Sequence, residues 1–177
     1  MKIMDTIKKD PKYSPQNSME WFRRAVAGAT RGHTNSLMHT RAHALNVTPV
    51  PGNMYAFRYR PKGIDTLPFY DAYPLIIPFR VAGPDFWGLN FHYLHPNVRG
   101  GLLESLMEFK DSRSRMIFTW KVAKAKGMPG IDQAVKHYLL PNIQSTFYKF
   151  EEEEWPMAIY LPFERFVGMR KSDVWKR

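Results

Sequence analysis

The groups in this chain that could do chemistry are six histidines, a proline–aspartate pair and a set of lysines and arginines without interspersed acids. His33, His39 and His43 are spaced six and four apart, and His92 and His95 form a second cluster. A zinc site needs three or four converging ligands. The first cluster falls in a stretch with nothing to hold ligands in place. The second supplies two imidazoles and no helical partner motif. Both clusters read as solvated or core-edge side chains, so no metal and no cofactor is expected. When protonated, the three arm histidines would add positive charge toward a nucleic acid.

Pro84-Asp85, followed by Glu108-Phe109-Lys110, superficially resembles a nuclease pattern in which two acids hold magnesium and a lysine orients the attacking water. That chemistry wants the second half on a strand, whereas here it ends a leucine-rich helical run. Arg99-Gly100-Gly101 is too short for a phosphate loop and lacks the lysine–serine end. Serine, histidine and aspartate occur without a nucleophile elbow. No catalytic residues are assigned, and the chain is expected not to be an enzyme.

The basic residues carry the stronger signal. The chain holds 26 Lys and Arg against 16 Asp and Glu, a net charge of +10. Residues 1–52 contribute +5, 53–112 zero, 113–150 +6 and 151–177 −1. Two basic sections flank a neutral aromatic centre, which suggests a polyanionic partner. No acid stands between Ser112 and Ile131, so Arg113, Arg115, Lys121, Lys124 and Lys126 are expected to face phosphate. Phe118 and Trp120 are expected to pack that helix. Arg23, Arg24, Arg31 and Arg41 are the matching candidates in the N-terminal section. Glu151–Glu154 reads as a solvated acidic loop.

The elements that position these residues follow from periodicity. A chain of 177 residues with 44% apolar side chains suits one domain with a real core. Cysteine is absent, which excludes disulfides and thiolate metal sites and fits a reducing cytoplasm. No apolar run approaches the roughly 20 residues that span a bilayer, so no membrane is expected. Met1–Asp10 is charged with no apolar stretch behind it, so no secretory signal is expected.

Ser18 caps a predicted amphipathic helix closed by Gly28, and residues 30–52 read as an extended arm. In Met54–Arg60 the rings of Tyr55, Phe57 and Tyr59 alternate, the mark of a strand with one buried face. Leu75–Phe79 reads as a second strand, with Pro78 at an edge or bulge, and Phe86–Tyr93 as a third. Helices are predicted from Pro96 to Phe109, from Ser114 to Ala125 and from Ile131 to Leu140. Met157–Pro162 is expected to return as a strand and Phe163–Met169 as a final helix. Strands first and helices after indicate α+β. The expectation is a small, twisted, mainly antiparallel sheet with helices on one face, over residues 53–177. An extended basic arm occupies 1–52. Tyr55, Phe57, Leu89 and Phe91 are expected in the core.

Asn53–Tyr59, Leu67–Leu75 and Gly88–Leu94, with Leu161-Pro162 and Val174-Trp175-Lys176 near the end, together resemble a family of small virion proteins of contractile-tailed, T-even-like phages. Its members are labelled DNA end protectors or head-completion proteins. The resemblance covers about residues 53–177; the arm matches nothing in it. It implies a non-enzymatic protein that binds double-stranded DNA ends near the head–tail junction and protects packaged DNA. The implied location is the virion, assembled in the host cytoplasm. The alternative is a structural neck, tail or baseplate subunit that docks on neighbouring virion proteins such as the portal.

Overall fold

The computed structural model describes residues 48–125, 128–145, 147–160 and 164–177. The expectations for the Ser18 helix, the arm histidines, Arg23, Arg24, Arg31, Arg41 and Lys126 lie outside the described residues.

Five strands form the main sheet: β1 (Met54–Ala56), β3 (Leu75–Ala82), β4 (Asp85–Asn90), β5 (Val135–Leu139) and β6 (Tyr148–Phe150). Their order is β5-β4-β3-β1-β6, with every pair antiparallel. A separate two-stranded ladder joins β2 (Tyr70–Asp71) to β7 (Phe166–Val167). The helices are α1 (Pro96–Met107), α2 (Ser112–Lys124), α3 (Ile131–Ala134), α4 (Trp155–Ala158) and α5 (Lys171–Val174). The expected α+β architecture is therefore present. Pro78 lies in a central strand, and the register slips between it and Arg80. A proline has no amide proton for the ladder, so a bulge accommodates it.

Alternation sorts the strand residues onto two buried faces. Met54, Ala56, Leu75, Ile77 and Leu89 join side chains of all five helices in one core, among them Leu103, Val122, Ala134, Trp155 and Val174. Tyr55, Phe57, Tyr59, Ile76, Phe86 and Tyr138 form a second cluster on the opposite face, with Leu140 and Ile143 from the following loop. Helices thus cover one face only. The expectation of a single buried face for residues 54–60 is corrected, because an aromatic layer closes the side away from the helices. Phe57 lies 5.4 Å from Tyr138 and 5.0 Å from Phe147, both edge-on, the arrangement the ring quadrupole favours. Tyr55, Phe57, Leu89 and Phe91 are all buried.

Four segments differ from the reading of periodicity. Phe91–Tyr93 is a 3-10 turn, with the Asn90 side chain accepting from the His92 amide. Ile131–Leu140 divides into the single turn α3 and strand β5, because the open edge of β4 pairs with residues 135–139. Residues 155–158 are helical: a capping box between Glu151 and Glu154 precedes them, and Pro156 sits in the first turn, where no amide is needed. Phe166–Val167 is strand β7, and the last helix is α5.

Arg99 ties the helical layer together. Its guanidinium is buried and donates to the carbonyls of Leu94 (3.0 Å), Ile159 (3.0 Å) and His92 (3.2 Å). It also lies 5.3 Å from the Trp175 ring. A fork with five donors can satisfy three carbonyls from separate segments at once. Arg99→Met keeps the bulk and strips those carbonyls of their donor. The expected loss is about 3 kcal/mol of unfolding free energy in urea titrations, with the secondary structure retained.

Candidate nucleic-acid interface

Helix α2 begins at a built cap. The Asp111 carboxylate accepts from the Ser114 amide at 2.8 Å and from its hydroxyl at 2.7 Å. Gly52 fits beneath this first turn with φ at +86°, and a Cβ there would overlap the Ser112 carbonyl. Lys121 and Lys124 occupy the last turn, where cations complement the helix dipole.

The phase of the helix divides its basic residues. Arg113, Ile117, Trp120, Lys121 and Lys124 fall within an arc of about 100° at 3.6 residues per turn, and all five are exposed. Arg115, Thr119 and Val122 occupy the opposite side and are buried. Arg113, Lys121 and Lys124 are therefore brought together as expected. Arg115 is not, and its assignment to phosphate is corrected. Its guanidinium turns inward to the carbonyls of Gly52 (2.9 Å) and Phe109 (3.2 Å) and to the Glu152 carboxylate (2.8 Å). The Trp155 ring lies 5.1 Å from it.

Trp120 is a second correction. Of the two aromatics expected to pack the helix, Phe118 does so, 5.4 Å from Phe109. Trp120 is 41% exposed, beside Ile117 at the same value. The Lys124 ammonium lies 4.0 Å from its ring centroid. With Lys124 over one face, an exposed ring beside cations can contact a nucleic acid while the cations neutralise its phosphates. The signal was available, since Trp120 lies seven residues from Arg113 and four from Lys124, on the same helical stripe.

Two features were not legible in the sequence. Arg80, Trp87 and His137 stand side by side on β3, β4 and β5. The Arg80 guanidinium is 4.7 Å from the Trp87 ring, and the His137 ring stacks on it at 4.4 Å and 11°. Asp85 pairs with His137 at 3.2 Å. The second feature is a cavity of about 270 Å³ beside edge strand β5, lined by Tyr59, Lys62, Phe69, Tyr70, Tyr93 and Lys136 among others.

The remaining candidates have structural places. His92 is fully buried, not solvated, with Nδ1 2.7 Å from the Asp71 carboxylate. His95 caps α1, accepting from the Asn97 amide. No group of three or more His, Asp or Glu that could hold a metal occurs among the described residues. Asp85 opens β4, whereas Glu108 is the exposed C-cap of α1. Arg99-Gly100-Gly101 lies inside α1. Glu152–Glu154 forms a 3-10 turn, not an irregular loop.

The family model described as Phage T4 terminal DNA protecting protein matches residues 1–176. The chain belongs to this family. Membership agrees with the resemblance in the aromatic strings. It also extends that resemblance, since the match includes the basic section 1–52 as well as 53–177. No curated protein and no solved structure matches the chain. No helix among the described residues is long and apolar enough to cross a membrane.

The cap of α2 has a pH dependence of definite sign. The Ser114 hydroxyl, then the Ser114 amide, hold the Asp111 carboxyl below the usual carboxylate range. A group with a lowered folded pKa contributes stability above its unfolded value and loses it as pH falls through the folded one. The Asp111 carboxyl carbon should titrate in NMR below the same group in a capped Lys-Asp-Ser model peptide. Ser114→Ala should return it toward the peptide value.

Proposed function

We propose that the protein binds the ends of double-stranded DNA and shields them as a virion component, without catalysis of its own. The observation that carries this reading is the exposed stripe of α2. There Arg113, Lys121 and Lys124 surround a solvent-facing Trp120, with no acid in sequence between Ser112 and Ile131. Family membership supports it, because the family's printed description concerns the protection of terminal DNA. Residues 1–52 form the second basic section, and Arg23, Arg24, Arg31 and Arg41, with Lys126, extend the phosphate-binding set. The body, residues 53–177, carries the α2 stripe. The place of action is the packaged DNA end near the head–tail junction, beside portal or neck proteins, after assembly in the host cytoplasm.

Affinity in this reading comes from neutralised phosphates, since no base-reading motif is present in the sequence. Four to six contacts, at roughly 0.9 counterions each, give a log–log salt slope of about −4 to −5. Fluorescence anisotropy with blunt duplexes of unrelated sequence measures it. Lys121→Glu with Lys124→Glu should weaken binding to every sequence alike and flatten the slope by about two. Lysine reversals that leave DNA binding intact, while virions lose a neck or tail component, would instead identify a structural subunit docking on other virion proteins.

Incubation with magnesium or manganese should leave linear and circular DNA uncut. Cleavage abolished by Asp85→Ala or Glu108→Ala would overturn the non-enzymatic reading.

A further inference from the structure

The cavity beside β5 has a composition that selects a ligand. Its rings include Tyr59, Phe69, Tyr70, Tyr93 and Tyr138, and its lysines are Lys62 and Lys136. The Lys136 ammonium lies 4.0 Å from the centroid of the Tyr93 ring, and among the described residues it forms no ion pair. Burial pulls it below the ordinary lysine value, the behaviour of a cation short of both water and a counter-charge.

Asp71 is the acid that lines the cavity, and its oxygens are already engaged. One accepts from the Tyr73 and Arg165 amides, the other from Asn90 and from His92 Nδ1. Two lysines against this one carboxylate leave the lining with a net positive charge. Its volume, about 270 Å³, lies just below the range of roughly 300–1,000 Å³ typical of small-ligand pockets. One nucleotide suits it, and a duplex does not.

We propose that this cavity receives a single unpaired nucleotide at the end of the DNA, its base against the aromatic walls and its phosphate on Lys136 and Lys62. The proposal rests on the reading of the protein as a DNA-end binder. It adds a distinction that phosphate neutralisation along α2 cannot make. A blunt end presents no free nucleotide, whereas an overhang does.

The full-length protein is titrated at one salt concentration with labelled blunt duplexes and with duplexes carrying a short 5′ or 3′ thymidine overhang. One overhang polarity should bind roughly ten-fold tighter than the blunt end, the scale of one base–aromatic stack that forms only when Lys136 anchors the phosphate. Lys136→Met should bring that ratio close to one while blunt-end affinity stays within about two-fold. Lys62→Gln, at an exposed rim position where folding is not at risk, should reduce the ratio in the same direction. Lys121→Glu with Lys124→Glu should lower both affinities and leave the ratio unchanged.

Equal affinity for blunt and overhanging ends, or a preference that survives Lys136→Met, overturns the proposal and leaves the DNA reading standing. Absence of all duplex binding overturns the DNA reading. The cavity is then judged by NMR titration with thymidine 5′-monophosphate. Saturable shifts lost in Lys136→Met and Lys62→Gln support it, and no shifts, or shifts unchanged in both variants, refute it.

Discussion

The buried guanidinium of Arg115 is the contact on which the orientation of the basic helix depends. It reaches from α2 to the carbonyl of Gly52, just ahead of β1, to the carbonyl of Phe109 behind α1, and to Glu152 in the 3-10 turn that precedes α4. Leaving the Gly52 and Phe109 carbonyls without that donor would be costly, and a buried guanidinium without partners would be costlier still. The two requirements are met in one rotational setting of the helix. That setting turns Thr119 and Val122 inward with Arg115, and Arg113, Trp120, Lys121 and Lys124 outward. A structural arginine thus decides which other cations are available to a partner.

The same device recurs near the start of α1. Arg99 gathers three carbonyls beside Trp175, as Arg115 gathers its acceptors beside Trp155. Asp71 is the complementary hub, an acid that collects donors from four places along the chain. Single-turn helices and two-residue strands such as α5 and β7 offer little apolar area of their own. Directed hydrogen bonds between buried charged groups and backbone hold them where packing alone would leave them poorly defined.

These buried charges also bear on function. His92, Arg99, Arg115 and Asp71 are polar groups that a search for chemistry would single out, and each is engaged in holding the fold. Cation–ring pairs are among the groups nearer the surface, Lys124 with Trp120 and Arg80 with the half-buried Trp87, while Lys136 packs on the buried Tyr93 ring in the lining of the cavity. Pairing a cation with an aromatic face serves attachment to a polyanion carrying stackable bases. This division between an inward polar framework and outward cation–ring pairs links the fold to the proposed role at DNA ends.

Local chemistry in the sequence was sufficient for β1, β3, β4, α1 and α2. Each carries its own local signal: alternating rings in 54–60, a proline-opened leucine run at 96, and an acid-free run of basic and apolar residues from Ser114 in α2. The charge asymmetry and the aromatic strings that mark the family are likewise properties of the chain itself. Segment 131–140 was not legible, because its second half becomes a strand only where β4 offers a free edge. Nor was the phase of α2. Arginine and tryptophan are both amphipathic, and composition cannot say whether Arg115 or Trp120 faces the core. That depended on acceptors at Gly52, Phe109 and Glu152, which are distant from one another in sequence. The cavity, too, exists only where 59–70 meets β5. Local order followed from neighbouring residues, and the exposed chemistry followed from which buried charges found their partners.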